Sequence, residues 1–156
     1  MKCFKNATVY VEGKGLVKCA VEFDEKIQKI SKKSKAEEIA LPAGAIVLPG
    51  FIDEHIHGAG GSDGMDGTVE DIATIAKTVA AEGTTSFLVT TMTQSKENIT
   101  KAMEAVKAYR KANSKEGARV VGIHLEGPFI AAAHKGAQPL EYVAQPAIQA
   151  FDSLSR

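Results

Sequence analysis

The chain has 156 residues, of which 44% are hydrophobic and 24% charged, the composition of a folded domain rather than of a disordered segment. Nineteen basic and nineteen acidic residues cancel, which excludes a general electrostatic attraction to nucleic acid or to an anionic membrane surface. The polar start MKCFKNATVYVEGKG does not match a secretory leader and no later run is long enough for a membrane span, so we expect a cytoplasmic protein without nucleic-acid or membrane partners.

Short strands and turns are predicted for the amino-terminal part of the chain. The predicted strands are Phe4 to Val11, Leu16 to Phe23 and Lys26 to Ile30. Apolar and polar side chains alternate in the second strand, which is typical of a sheet with one buried face. If residues 12–15 form a hairpin turn, Cys19 lies near Ala7 or Thr8 and far from Cys3, so both cysteines are expected to be reduced.

The next segment, PGFIDEHIHG at residues 49–58, contains two histidines two positions apart on a predicted strand. The apolar residues 46–48 lead into it, and alternation along the strand places Asp53, His55 and His57 on one face. Two imidazoles in this arrangement can reach one divalent ion, and a carboxylate beside them can orient or supplement them. The alternative is that hydrogen bonds at the strand end satisfy one or both histidines. We interpret His55 and His57 as metal ligands and Asp53 as an orienting group.

Helical and strand patterns alternate after this segment. The glycine-rich loop AGGSDGMDG has no lysine of the phosphate-binding kind and does not fit GxGxxG, so we expect it to shape the rim of a pocket. The predicted elements are a helix from about Val69 to Glu82 capped by Thr68, a strand from Thr84 to Thr91, a helix capped by Ser95 or Thr93 that runs to about Ala112, a turn from Asn113 to Gly117 and a strand from Ala118 to Leu125. Strand, helix, strand, helix, strand is the order of a parallel sheet, so the predicted fold class is α/β.

A second chemical motif, GIHLEGPFI at residues 122–130, contains the end of the third of these strands. Because the carboxyl ends of parallel strands meet at one edge, Glu126 is expected to approach His55 and His57 and to share a cation with them. The alternative is a carboxylate that caps the following loop. His124 either orients Glu126 or is a buried structural histidine, and the second role is favoured.

These two motifs and the KGAQ of residues 135–138 resemble the metal-dependent amidohydrolase superfamily, and the HLEGPF run is similar to that of the N-acetylglucosamine-6-phosphate deacetylases. The resemblance covers essentially the whole chain. It implies the first three or so βα units of a (β/α)8 barrel in residues 49–156, preceded by an incomplete β-sandwich segment in residues 1–48. A complete barrel takes about 250 residues. We therefore expect the chain to be the amino-terminal part of a longer protein and to be inactive alone.

The resemblance also implies a reaction, the removal of acetate from N-acetylglucosamine 6-phosphate, with Zn²⁺ or Fe²⁺ as cofactor in one or two copies. It implies metal ligands at His55, His57 and Glu126, and substrate contacts from Ala137 and Gln138. Some relatives have a histidine at the position of Gln138, so a contact there would come from an amide. Further histidines and an aspartate that acts as general acid and base are expected beyond this sequence. A homodimer or higher oligomer is expected as well.

Other functions are open alternatives: an adenine deaminase, a cyclic-amide hydrolase, or a non-catalytic metal-binding fragment. Amidohydrolases that bridge two metals with a carboxylated lysine usually carry an arginine soon after the paired histidines. Here Gly58 follows the pair directly and the first arginine is Arg110. Glu126 would supply the bridging carboxylate instead, which favours the deacetylase branch. The presence of both His55 and His57 favours a two-metal site.

Overall fold

The computed structural model describes residues 1–112 and 115–155. By its internal packing the chain divides into two compact units, Met1–Pro49 and Gly50–Arg156. None of the described helices is long and apolar enough to cross a lipid bilayer. The turn predicted from Asn113 to Gly117 includes residues 113 and 114, which lie outside the described residues.

The first unit is a mixed β-sheet whose centre is a long hairpin. Its strands are β1 (Lys2–Val11), β2 (Gly15–Phe23), β3 (Ile27–Ser31), β4 (Glu37–Glu38) and β5 (Ile46–Val47). β2 pairs antiparallel with β1 and β3, whereas β4 and β5 pair parallel with β1. The register places Ala7 opposite Cys19, as predicted, and both cysteines are buried and free of disulfides.

The apolar run at residues 46–48 lies in the first unit, in the part of the chain for which short strands were predicted. Ile46 and Val47 pair with Thr8 and Val9 of β1, and the strand of the next segment begins at Phe51. Val47 packs against the small core of this sheet, which buries part of its apolar surface. The buried members of that core are Ala7, Val9, Cys19 and Val21. This unit is a single sheet over residues 1–49, so the second layer of a sandwich stays a prediction.

The second unit contains a parallel sheet and the helices that pack against it. Its elements are β6 (Phe51–Ile56), β7 (Gly58–Ala59), β8 (Ser62–Asp63), α1 (Val69–Ala81), β9 (Thr84–Thr90), α2 (Lys96–Ala112), β10 (Arg119–His124) and α3 (Ile148–Ser155). The sheet order is β10, β9, β6 with both pairs parallel, which confirms the α/β class and the predicted succession of strands and helices. Closure into a barrel stays a prediction.

The core of this unit lies between the sheet and the two helices α1 and α2. Phe87 and Val89 of the central strand β9 are 0% and 1% exposed. They belong to one core cluster with buried residues of α1, of α2 and of residues 118–120; the other buried members are Ile72, Ile75, Ala76, Val79, Ala105, Val106, Tyr109, Ala118 and Val120. On β6, Phe51 and Ile52 stay 60% and 67% exposed. Exposed apolar side chains favour association, and the expected oligomer stays a prediction.

A polar network fixes the start of α1. Thr68 is the N-cap, and its hydroxyl oxygen accepts a hydrogen bond from the backbone N–H of Asp71 at 3.1 Å. The carboxylate of Asp71 in turn accepts hydrogen bonds from the hydroxyls of Thr68 and Ser62. The hydrogen bond from Thr68 lowers the pKa of Asp71 most, and the one from Ser62 lowers it further. The helix therefore begins where the sequence predicted it.

We expect Asp71→Asn to destabilise the protein at neutral pH and to have no such effect in acid. The folded-state pKa of Asp71 lies below its ordinary value of 3.8, because the two hydroxyls stabilise the ionised carboxylate. A lowered pKa contributes stability that is complete above the ordinary value and is lost as the pH falls through the folded-state value. Urea unfolding of both chains from about pH 2 to pH 7 measures the difference. Glu70→Gln, a charge removed from the same turn, is the control, and a difference that persists at the lowest pH would contradict the prediction.

Candidate metal centre

Three side chains from the first and third strands of the parallel sheet meet at one point. His55 lies near the end of β6, His57 one residue beyond it, and Glu126 two residues beyond β10. The Nε2 atoms of both histidines face the same oxygen, Oε2 of Glu126, at 2.9 Å from His55 and 3.2 Å from His57. The three potential ligand atoms all lie within 4.8 Å of one another. The structure thus brings together the residues that were predicted as metal ligands.

The strand that carries the histidines is not a regular one. Its pairing with β9 has irregularities between Phe51 and Ile52 and between Asp53 and Ile56, so the simple alternation assumed for this segment is interrupted. Asp53 lies before the second irregularity, and its Oδ1 accepts a hydrogen bond from the backbone N–H of His55 at 3.0 Å. The contact of Asp53 is therefore with the main chain of His55, which fixes the backbone from which that ring projects.

His57 is held by the segment that follows it. Residues 58–66, predicted as a glycine-rich rim, form the hairpin of β7 and β8 and a 3₁₀ turn at Gly64–Asp66. The backbone N–H of Gly64 donates to the carbonyl of His57 at 2.7 Å, and a Cβ at residue 64 would meet the side chain of Val89. The Nδ1 of His57 is buried without a hydrogen-bond partner in the described part of the chain, so Nε2 is the atom presented to Glu126.

Two residues that the sequence did not assign to this role hold Glu126. Its backbone N–H donates to the hydroxyl of Thr91 at 3.1 Å, and its Oε1 accepts a hydrogen bond from Nε2 of Gln138 at 2.6 Å. Thr91 is 2% exposed and follows β9 directly. Its position at the carboxyl end of the central strand is the signal that could have found it, because all three strand ends meet at this edge.

His124 contacts the first strand of the sheet. Its Nδ1 lies 2.9 Å from the carbonyl oxygen of Glu54, and because a carbonyl can only accept, Nδ1 is the donor. Its ring lies against that of His55, with centroids 4.4 Å apart and planes inclined by 44°. These contacts of His124 are with Glu54 and His55, and its orienting role toward Glu126 stays a prediction.

The two residues predicted to contact substrate lie side by side but differ in exposure. Ala137 is exposed, whereas Gln138 is 7% exposed and its amide is turned toward Glu126 and the backbone of Thr93. Lys135 donates from Nζ to the carbonyl of Gly136. Contact of Ala137 and Gln138 with a substrate stays a prediction.

The residues present fit a divalent cation. Two imidazole nitrogens and one carboxylate oxygen are a donor set that zinc and iron accept. Both imidazoles are aimed at one carboxylate oxygen, and the site is open to solvent, since the side chains of His55, His57 and Glu126 are 52%, 34% and 27% exposed. A cation can therefore enter and replace the short contacts that Glu126 makes with the two imidazoles.

Comparison with known proteins identifies the class to which this fold and site belong. The sequence profile of the amidohydrolase family matches residues 46–154, and the chain belongs to that family. The chain is similar to N-acetylglucosamine-6-phosphate deacetylase of Bacillus subtilis, with 40% identity over 134 residues that cover 82% of this chain and 34% of the relative. It is similar to the same enzyme of Lysinibacillus sphaericus, with 42% identity over 125 residues, 79% of this chain and 32% of the relative.

A solved structure agrees with these relatives. The crystal structure of N-acetylglucosamine-6-phosphate deacetylase from Thermotoga maritima matches with a TM-score of 0.81 and 27% identity, over 97% of this chain and 39% of that chain. The resemblance predicted from the two motifs is thus confirmed. The chain spans about a third of the length of the curated relatives that it matches.

Proposed function

We propose that this chain supplies the first strands and part of the metal centre of a deacetylase that removes acetate from N-acetylglucosamine 6-phosphate. The observation that carries the proposal is the meeting of His55, His57 and Glu126 at a single oxygen atom. The similarity to deacetylases of two bacteria supports the choice of substrate.

A divalent cation, Zn²⁺ or Fe²⁺, would be held by these three residues and would supply Lewis-acid polarisation of the acetamide carbonyl and activation of water. The chain's own contribution is to hold the ligands in place. Thr91 and Gln138 restrain Glu126 through its backbone and its Oε1, while His124 packs against the ring of His55. The resemblance assigns proton transfer to an aspartate outside this sequence.

The loop after β10 is proposed to contact the sugar. Ala137 is exposed and directly precedes the buried Gln138, whose amide donates to Glu126. Ala137 has no polar side chain, so any hydrogen bond to a sugar hydroxyl would come from its backbone.

The proposal predicts activity in an exchange experiment. The segment of the Bacillus subtilis relative that aligns with this chain is replaced by the chain itself, and acetate release from N-acetylglucosamine 6-phosphate is measured with added Zn²⁺ or Fe²⁺. We expect turnover by the chimera and its loss on Glu126→Gln, because that substitution removes the anionic ligand. The 156-residue chain alone is expected to be inactive, since within the described residues it brings three potential ligands together.

Comparison substrates separate the proposal from its alternatives. Unphosphorylated N-acetylglucosamine tests whether the phosphate is required. Adenine tests for deaminase activity, and a hydantoin tests for cyclic-amide hydrolase activity. If a folded chimera binds zinc and turns over adenine or the hydantoin, but not the acetamido sugar, the proposed substrate is wrong.

A further inference from the structure

We propose that Gln138 is a positioning residue that orients Glu126 for cation binding. The inference rests on the metal centre of the proposed function. Gln138 is 7% exposed, although it lies in an irregular loop between two short 3₁₀ turns. A buried polar side chain requires hydrogen-bond partners, and those that Gln138 has found explain its burial.

Both ends of the Gln138 amide are engaged. Its Oε1 accepts a hydrogen bond from the backbone N–H of Thr93 at 2.8 Å, and its Nε2 donates to Oε1 of Glu126 at 2.6 Å. A backbone N–H can only donate, so the amide oxygen must face Thr93 and the NH₂ group must face Glu126. The orientation of the amide is therefore determined by its surroundings, and the NH₂ group is directed to the carboxylate.

This contact makes the two oxygens of Glu126 different. Oε1 is tied to Gln138, and Oε2 is the oxygen that faces both imidazoles. The terminal torsion of a glutamate side chain is soft, so a carboxylate without such a tie can rotate and present its oxygens in many directions. Gln138 restrains this rotation with a neutral donor, which leaves the full negative charge of Glu126 for the cation.

The backbone next to Glu126 also indicates a close, fixed contact between the loop after β10 and the segment after β9. Gly127, directly after Glu126, has a φ of +71°, and a Cβ there would collide with the side chain of Thr93. The chain after β10 therefore passes against the segment after β9 at two points, at Gly127 and at the side chain of Gln138. The side chain of Gln138 therefore links the position of the loop after β10 to the orientation of Glu126.

A role in positioning differs measurably from a role in sugar contact. If Gln138 served only the sugar, its loss would raise KM and leave the affinity for metal unchanged. If it positions Glu126, its loss weakens metal binding in the absence of any substrate, and removal of such a supporting hydrogen bond typically costs about 10- to 100-fold in metal affinity.

The test compares Gln138→Met with the parent chain of 156 residues. The methionine side chain has about the length of glutamine but cannot make its hydrogen bonds. Zinc affinity is measured by competition with a chromophoric chelator, and the visible spectrum of bound Co²⁺ reports the ligand arrangement. We expect zinc affinity to fall about 10- to 100-fold and the Co²⁺ spectrum to change. Gln94→Met is the control, because Gln94 bonds only locally, to Ser95 and Asn98, among the contacts described. Parent-like affinity and spectrum in Gln138→Met would overturn the inference.

A second measurement needs no substitution at Gln138. In the ¹⁵N-labelled parent, the side-chain amide of Gln138 is expected to exchange slowly with solvent, to shift when zinc is added, and to lose its protection in Glu126→Ala. Exchange as fast as that of Gln94, unaffected by Glu126→Ala, would overturn the inference even if Gln138→Met did not fold.

The outcomes separate this inference from the proposed function. A parent chain that binds no zinc overturns the metal centre and the inference with it. Zinc affinity that is unchanged by Gln138→Met overturns the inference but not the proposed metal centre. Zinc binding that depends on Gln138, in a chimera that releases no acetate, leaves the inference standing and removes the proposed reaction.

Discussion

Replacing Glu126 with glutamine is expected to lower the affinity of this chain for zinc by at least about 100-fold, since loss of a supporting partner alone costs about 10- to 100-fold. The carboxylate is the only anion of the three-residue cluster, and its Oε2 is the atom that both imidazoles face. A neutral amide keeps the volume of the side chain but removes the charge that attracts a divalent cation. Competition with a chromophoric chelator at fixed pH measures the change.

The matched control for this experiment is Glu54→Gln. Glu54 is exposed on β6, beside His55, so its substitution removes one negative charge from the same neighbourhood. Its backbone carbonyl, which accepts the hydrogen bond from His124, is retained. We expect little change in zinc affinity. Equal losses in the two variants would show that net charge, and not the geometry of the cluster, governs binding.

Phe87→Ala is expected to lower the free energy of unfolding of the second unit by about 3–5 kcal/mol, the usual cost of removing a buried phenylalanine ring. Phe87 is 0% exposed on the central strand of the sheet and belongs to the core cluster that also contains buried residues of α1 and α2. Because small domains are stable by only about 5–15 kcal/mol, this loss removes a large part of the stability of the unit. Urea titration followed by circular dichroism measures it.

Phe51→Ala makes the same substitution at the start of the neighbouring strand. Phe51 is 60% exposed, so the loss of its ring should change the free energy of unfolding by no more than about 0.5 kcal/mol. If the two variants were equally destabilised, the core of this unit would not be centred on β9.

Helix α1 was predictable because its signals are local. Thr68 accepts the hydrogen bond that an N-cap must accept, Ile72, Ile75, Ala76 and Val79 repeat at helical spacing, and Gly83 adopts a φ of +92° just past the end. Each signal depends on residues within a few positions of it. The observed bounds, Val69–Ala81, differ from the predicted ones by one residue.

The meeting of His55, His57 and Glu126 was predictable for a different reason. Parallel strands align their carboxyl ends, so residues far apart in sequence are brought to one edge once the order of strands is known. The side-chain contacts there were less predictable. Asp53 contacts the main chain of His55 because the pairing of β6 is irregular, and no pattern in the sequence marks that irregularity.

The failures share a dependence on distant partners. The pairing of Ile46 and Val47 was not predicted, because their partner is β1, about forty residues earlier in the chain. The strands β7 and β8 have two residues each, too few for any alternation to be recognised. The burial of Gln138 follows from where its loop packs, which the composition of the loop does not encode.

The separation of the ligands along the chain has a thermodynamic consequence. His55 and Glu126 lie 71 residues apart, on strands that do not pair with each other, so a cation held by both acts as a cross-link over most of the second unit. An unfolded chain offers no such preformed set of donors, and binding free energy becomes folding free energy. At a free concentration one hundred times Kd this linkage amounts to about 2.7 kcal/mol. If the proposed metal centre is correct, the abundance of the folded second unit in a cell would depend on the metal supply.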